Sequence, residues 1–115
     1  MVSDAAELDA VFHALAHPAR RAMLRQLAEG ERNLTELAAP LSMTFPAASK
    51  HVRVLEAASL VRRRVAGRQH LCSLHAPPLR EASRWTAQFR RHWEARFRAL
   101  DALLDELQGD PPPEG

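Results

Sequence analysis

Residues 44–58 read TFPAASKHVRVLEAA, and the rest of the fold prediction builds outward from this segment. Thr44 or Ser42 can cap a helix and Pro46 fits its first turn, so we predict a helix that runs to about Ala58. At about 100° per residue, one sector is mostly apolar and the opposite sector is small and basic. The first set is Ala48, Val52, Leu55 and Ser59, and the second is Pro46, Lys50, Arg53 and Ala57, with Ser49 and Glu56 on a flank.

The outward face of this helix has the composition that a nucleic-acid groove requires. Bulky side chains would hold the backbone away from the bases, whereas Lys50 and Arg53 can reach phosphates or guanine edges in a groove about 12 Å wide. Positive charge continues beyond the helix, since residues 50–68 carry six basic side chains against Glu56, a local excess of +5. The basic set is Lys50, Arg53, Arg62, Arg63, Arg64 and Arg68. Such a patch attracts a polyanion, although a solvated surface helix is the alternative interpretation.

Three helices are predicted before this segment. Ser3 or Asp4 begins the first, whose apolar side chains recur every three to four residues, and Pro18 begins the second, which ends at Gly30. Asn33 and Glu36 form a capping-box pattern for a short third helix. Pro40 ends or kinks that helix between residues 39 and 42, because it removes a hydrogen bond.

A β-hairpin is predicted after the basic helix. Residues 60–65 and 69–74 are strand-like, and Gly67 lies in the turn between them. An isolated hairpin is only marginally stable, so we expect it to pack on the helices. Its projecting tip would carry Arg64 and Arg68.

A long helix without breakers is predicted over residues 79–107, about 29 residues and about 43 Å. Its large apolar side chains recur at steps of three and four, which predicts a seam for a second copy of the chain. We therefore assign to the dimer interface Trp85, Phe89, Trp93, Phe97, Leu100 and Leu104, with Leu107 on the same seam. Leu8 and Phe12 of the first predicted helix are assigned to the same interface. Packing within one chain is the alternative. Residues 109–115 are polar and proline-rich and are predicted to be disordered, which leaves residues 1–108 as one domain.

Composition excludes several classes of protein. In 115 residues there is no apolar run of the roughly 20 residues that a membrane helix needs, and the start, MVSDAAELDA, does not resemble a signal peptide, so a cytoplasmic location is expected. The single cysteine, Cys72, can form neither an internal disulfide nor a multi-thiolate zinc site, and we expect it to pack as a small apolar side chain. No phosphate loop or nucleophile motif is present, so neither an enzyme nor a cofactor is predicted.

The order of four helices, a hairpin and a long helix predicts a mostly α fold of the winged helix-turn-helix type. Three segments and one dipeptide resemble the ArsR/SmtB family of bacterial transcriptional repressors. These are HALAHPARRAML at 13–24, LTELA at 34–38, PAASKHVRVL at 46–55 and the Gly67-Arg68 pair. The resemblance implies a homodimer that binds a palindromic double-stranded DNA operator and leaves it when an effector binds.

Carried over by position, the resemblance also implies which residues face DNA. In the helix that begins near Thr44 they are Ala47, Ser49, Lys50, His51 and Arg53, and in the hairpin they are Arg64 and Arg68. The angular positions agree for Ser49, Lys50 and Arg53 but place His51 nearer the edge of the core. At the hairpin, Arg64 and Arg68 would contact an adjacent minor groove or its phosphates.

The chain departs from the metal-sensing members of that family. Residues 34–41, LTELAAPL, contain no metal ligand pair where those members carry Cys-x-Cys, and the last helix offers only His92. No metal site is therefore predicted, and the small-molecule effector stays unidentified. An aromatic-lined gap around Trp85, Phe89 and Trp93 that admits an apolar ligand is an alternative to plain dimer core.

A second hypothesis is a winged-helix module that binds another protein and has lost DNA binding. It predicts no salt-dependent affinity for DNA. The joint presence of Lys50, Arg53, Arg64 and Arg68 argues for DNA as the partner, because a module freed from DNA has no need for this set of cations.

Overall fold

The computed structural model describes residues 4–109, and in that range it has six α-helices and three short strands. In chain order these are α1 Asp4–Leu15, α2 Pro18–Glu29, β1 Arg32–Asn33, α3 Leu34–Ala38, a 3₁₀ turn Ala39–Leu41, α4 Phe45–Ala57, β2 Val61–Ala66, β3 Gln69–Leu74, α5 Pro77–Ala87 and α6 Arg90–Gln108. The predicted mostly helical fold with a hairpin wing is confirmed. Of the tail predicted to be disordered, Gly109 follows α6 and residues 110–115 lie outside the described residues.

Side chains cap three of the helices. The predicted capping box is confirmed, since Glu36 N–H donates to Asn33 Oδ1 at 2.8 Å and Asn33 N–H donates to Glu36 Oε1 at 3.0 Å. Thr44, not Ser42, caps α4, because its hydroxyl oxygen accepts from Ala47 N–H at 3.2 Å. A cap on α2 was not predicted, since His17 is not a usual capping residue, yet its Nδ1 accepts from Ala19 N–H at 3.0 Å.

The end of α4 corrects one prediction. Ser59 was placed on the buried face of this helix, but the helix ends at Ala57 and Ser59 is exposed with φ of 59°. The N–H groups of Ser59 and Leu60 donate to the carbonyls of Glu56 and Leu55, at 2.9 and 3.0 Å. This is the Schellman arrangement, and it returns the chain so that Leu60 enters the core while Ser59 faces solvent.

The core lies among α1 to α4 and the sheet. Its largest fully buried side chains are Met23, Leu37, Val52, Leu55, Leu60 and Cys72. Cys72 thus packs as the small apolar side chain that was predicted, and its burial raises the pKa of the thiol. A protonated thiol is a poor nucleophile, so the role of Cys72 in this fold is packing.

The sheet has three strands in the order β1-β3-β2, all antiparallel. Ala66 pairs with Gln69, so Gly67 and Arg68 form a two-residue turn, and Gly67 has the φ of 63° that favours glycine there. The strand β1 was not predicted, because two residues are too short to show a periodicity. It pairs Arg32 with Cys72 and so joins the hairpin to the segment between α2 and α3.

The prediction of one continuous helix over residues 79–107 is wrong, because the chain leaves the helical path between α5 and α6. The N–H groups of Gln88 and Phe89 donate to carbonyls only three residues earlier, at 3.3 and 3.1 Å. One turn before, the Thr86 hydroxyl donates to the Ser83 carbonyl at 3.0 Å. Back-bonding of this kind often bends helices, and the three-residue hydrogen bonds of the turn that follows separate the end of α5 from the start of α6.

The chain divides into two compact units, one up to Ala82 and one from Ser83 onward. The first contains the core described above. In the second, two aromatic pairs lie along the helices: the ring centroids of Trp85 and Phe89 are 5.1 Å apart, and those of Trp93 and Phe97 are 6.0 Å apart. None of the helices within residues 4–109 combines the length and the apolar composition of a membrane span.

Candidate nucleic-acid interface

The helix α4 has two faces of opposite character. Ala48, Val52 and Leu55 are fully buried, as their angular positions predicted. On the opposite side Lys50 and Arg53 are exposed. The cap at Thr44 and the Schellman turn after Ala57 fix both ends of the helix, so its basic face is held on a rigid element.

An open concavity lies along the first half of this face. It is lined by Phe45, Pro46, Ala47, Ser49, Lys50 and Arg53. Four of the five residues that were predicted to face DNA on this helix therefore lie together. Ser49 is only 9% exposed, so it contributes a wall of the concavity and offers little surface of its own.

His51 lies elsewhere. Its ring centroid is 4.4 Å from that of His17, and its Nδ1 is 3.3 Å from Arg20 Nη1. Arg20 is itself buried, and it donates to the carbonyls of Ala14 and His13 at 2.8 and 2.9 Å. The side chain of His51 contacts α2 and the residue before it, where Arg20 supplies a donor, in agreement with its predicted position near the edge of the core. Its assignment as a DNA-facing residue stays a prediction.

The environment of His51 disfavours its charged form. Burial lowers the pKa of the ring most, and electrostatic interaction with His17, Arg20 and Lys50 lowers it further. The neutral ring accepts from Arg20, whereas a protonated ring would repel it. His51 thus contacts the charged Arg20 through a neutral ring, and this contact joins α4 to α2.

Two wing arginines are already paired with carboxylates. Arg64 makes a two-pronged contact with Glu31, Nε to Oε2 at 3.1 Å and Nη2 to Oε1 at 2.8 Å. This contact lowers the pKa of Glu31 and raises that of Arg64. Arg63 on β2 contacts Glu56 on α4 at 2.6 Å, so this ion pair attaches the wing to the helix.

The pairing reduces the free positive charge that the sequence count implied. Glu31 lies outside the window of residues 50–68 over which that count was made, yet it meets Arg64. Arg62 lies 3.4 Å from a ring nitrogen of His75. Within residues 4–109, Lys50, Arg53 and Arg68 form no ion pair. Arg62 has no carboxylate partner in these residues either, so the unneutralised charge lies on the α4 face, at Arg62 on β2 and at the hairpin turn.

The residues assigned to a dimer interface fall into two groups. Those on α5, on α6 and in the turn between them are large, apolar and about half exposed: Trp85, Phe89, Trp93, Phe97, Leu100 and Leu104. Leu103 and Leu107 extend the same exposed set. Leu8 and Phe12 of α1 are different, since both are partly buried and pack against the core of the first unit. Part of their apolar surface is thus already used within the chain.

In the part of the chain that the structure describes, no three side chains of the His, Cys, Asp and Glu types are grouped as metal ligands. Cys72 is buried, and His92 is exposed on α6.

Sequence reasoning missed three residues of this region: Glu31, Arg20 and Phe45. Glu31 and Arg20 are separated from their partners by 33 and 31 positions, so no local pattern indicates those contacts. Phe45 could have been identified from the sequence, because a large apolar residue beside the cap of a predicted surface helix is unusual. It is 54% exposed and lines the concavity.

Comparisons with known proteins agree with this geometry. Residues 15–64 match the helix-turn-helix domain family. The HTH-type transcriptional regulator Rv2034 of Mycobacterium tuberculosis is 33% identical over 102 residues, which cover 89% of this chain and 92% of that protein. The solved structure of the ArsR family transcriptional regulator RHA00566 is 34% identical with a TM-score of 0.72, over 82% of this chain and 97% of that one. An ArsR-like transcriptional regulator from Rhodococcus sp. RHA1 is 27% identical with a TM-score of 0.67, over 89% and 96%.

Proposed function

The chain belongs to the ArsR family of helix-turn-helix transcriptional regulators, and from that membership we propose that it is a homodimeric repressor that binds a palindromic DNA operator sequence-specifically. In this proposal α4 is the recognition helix and the β2–β3 hairpin is the wing. Such a protein acts where bacterial DNA is, in the cytoplasm.

The observation that carries the proposal is the free charge on α4. Lys50 and Arg53 are exposed, unpaired within the described chain, and line a concavity that also includes the small side chains of Ala47 and Ser49. A DNA duplex supplies partners for these cations: anionic phosphates at the groove edges and hydrogen-bonding base edges between them. We assign Arg53 to base edges, and Lys50 to phosphates or bases.

The wing is assigned a backbone role. Arg68 lies in the hairpin turn, exposed and without an ion pair in residues 4–109, so it can contact phosphates beside the groove that α4 enters. Arg64 has to leave Glu31 before it can do the same.

A second copy of the chain is proposed from the exposed apolar row on α5 and α6. A soluble chain does not keep so many large apolar side chains in water without a partner surface. Two copies related by a two-fold axis would place their α4 helices at half-sites about 34–36 Å apart, one turn of DNA. An effector that binds the free dimer more tightly than the DNA-bound dimer would then release the operator.

The test begins with purified protein and fragmented genomic DNA, from which bound fragments are recovered and footprinted. The recovered site, as a labelled duplex, then serves in fluorescence anisotropy titrations at several salt concentrations. If each subunit neutralises three or four phosphates, log K against log salt should fall with a slope of roughly −5 to −7, at about −0.9 per phosphate. No binding at low ionic strength would overturn the proposal and favour the protein-binding alternative.

Three arginine variants separate the assigned roles. Arg53→Ala should reduce discrimination between the operator and its base-changed versions, whereas Arg68→Ala should weaken binding to all duplexes alike. Arg25→Ala is the matched control, because Arg25 is exposed on α2 and its substitution removes the same charge outside the proposed interface. Equal, sequence-independent losses for Arg53→Ala and Arg68→Ala would contradict the assignment.

A further inference from the structure

Phe45 is an exposed aromatic side chain at the first position of α4. It is 54% exposed, and it lines the concavity that holds the free cations Lys50 and Arg53. Among the described side chains it joins neither the apolar core nor any ring pair. In the described residues Phe45 thus lies outside the apolar core, with more than half of its surface exposed.

Burial of this ring would be favourable, because a large apolar side chain gains free energy in proportion to the area removed from water. The surface that covers it has to suit its neighbours as well. A partner that brings only apolar groups would leave Lys50 and Arg53 desolvated without counter-charge. The partner therefore combines anionic groups with an apolar group placed between them.

The major groove of DNA offers this combination. Its edges carry phosphates, and its one apolar feature is the 5-methyl group of thymine, for which phenylalanine is a suitable contact. The first residues of a recognition helix are the ones that reach base edges. Phe45 is the first residue of α4, immediately after its cap at Thr44.

We propose that Phe45 is a specificity-determining residue that contacts the 5-methyl group of a thymine in each operator half-site. This inference rests on the proposed function, and it adds a preference for thymine at one position. It also separates two kinds of selectivity on α4, with Arg53 recognising polar base edges and Phe45 recognising a methyl group.

The experiment is a mutant cycle between protein and DNA. In the duplex recovered by genomic selection, each thymine of a half-site is replaced in turn by deoxyuridine, which removes the methyl group and keeps the base pair. Affinities are measured for the wild type, Phe45→Ala and Phe45→Leu. Deoxyuridines placed outside the half-sites are the matched DNA controls, and urea unfolding shows whether each variant is folded.

At one position of each half-site, replacement of thymine by deoxyuridine should lower the affinity. There deoxyuridine should weaken wild-type binding about three- to fourfold per half-site, the effect of removing one buried methyl group. Phe45→Ala should bind the thymine duplex more weakly and show no further loss with deoxyuridine, while Phe45→Leu, still apolar, should keep part of the effect. Deoxyuridines outside the half-sites should not change the affinity of any of the three proteins.

The failures are distinguishable. If wild-type protein binds the recovered duplex and no deoxyuridine substitution changes its affinity, the inference about Phe45 is overturned while DNA binding stands. The same holds if wild type and Phe45→Ala lose equal affinity at the sensitive position. If Phe45→Ala does not fold, the wild-type scan together with Phe45→Leu gives the same decision. Absence of binding to any duplex overturns the proposed function itself.

Discussion

A group of histidine and arginine side chains joins α4 to the end of α1 and the start of α2. Arg20 donates to the carbonyls that end α1, at Ala14 and His13, and lies 3.3 Å from His51. His17 caps α2 and packs its ring against His51. Since Arg20 is buried and always charged, this contact is stable only while the ring of His51 is neutral.

Stability should therefore depend on pH through His51. Its pKa is lowered in the folded state, so below about pH 6.5, the ordinary histidine value, the unfolded chain binds the proton more readily and the free energy of unfolding falls. Above that pH the contribution is constant. In His51→Asn the amide oxygen can still accept from Arg20 but does not titrate, so that variant should lose less stability on acidification. Urea unfolding between pH 8 and 5.5 measures both.

The other histidines are common to both proteins, so only the difference between wild type and His51→Asn is informative. Parallel stability curves across this pH range would show that His51 does not couple α4 to protonation.

Glu31 pairs with Arg64, so in the proposed function this ion pair has to break before Arg64 can contact a phosphate. We expect Glu31→Gln to raise the affinity for the operator a few-fold, because Arg64 is then free to contact a phosphate. Glu29→Gln is the matched control, since it removes the same charge two residues away while Glu29 faces Arg32. Anisotropy titrations at fixed salt compare the two.

The same substitution in an Arg64→Ala background gives the decisive comparison. If Glu31→Gln raises affinity equally with and without Arg64, the gain is a general charge effect and the ion pair restrains nothing.

The helix α4 depends on short-range hydrogen bonds at both ends. Thr44 caps its first turn, and the Schellman bonds of Ser59 and Leu60 close its last one. Between them, Arg63 on β2 contacts Glu56 of the helix at 2.6 Å. The basic face is thereby held in a fixed orientation relative to the wing.

Loss of the cap should destabilise the protein and leave its charge unchanged. We expect Thr44→Ala to lower the free energy of unfolding by about 1 kcal/mol, the usual contribution of such a cap, and Thr44→Ser to retain most of it. Urea unfolding followed by circular dichroism measures both. Equal stability of the alanine and serine variants would mean that the hydroxyl contributes nothing.

Assembly of two chains would use α5 and α6. Their apolar row, with Trp93 45% exposed and Leu100 49% exposed, offers a surface for a second copy. Operator binding by a two-fold pair of α4 helices depends on that assembly in the proposed function, so the oligomeric state and DNA affinity should change together.

A carboxylate in this row should separate the chains. We expect wild type to have twice the mass of one chain by light scattering and Leu100→Asp to be monomeric, because burial of an unpaired charge in an apolar interface is strongly unfavourable. Ala102→Asp is the control, with the same charge change at an exposed position on the opposite side of α6. A monomeric wild type, or equal dissociation by both variants, would contradict the dimer proposal.

Several features followed from the amino-acid order alone. The capping box at Asn33 and Glu36, the buried face of α4 apart from Ser59, and the hairpin turn at Gly67 were predicted and are confirmed. Each depends on residues within a few positions of one another, where helix and turn geometry fix the distances before any packing occurs. The break between α5 and α6 is local too, but a single hydroxyl bond at Thr86 leaves no distinctive pattern.

Folding in three dimensions settled the rest. It paired Arg64 with Glu31 across 33 positions, which removed one cation from the free basic patch, and it paired His51 with Arg20 across 31 positions. It also left Phe45 uncovered beside Lys50 and Arg53. Contacts between distant segments depend on how the helices pack around one core, and periodicity along a chain carries no information about which of those segments meet.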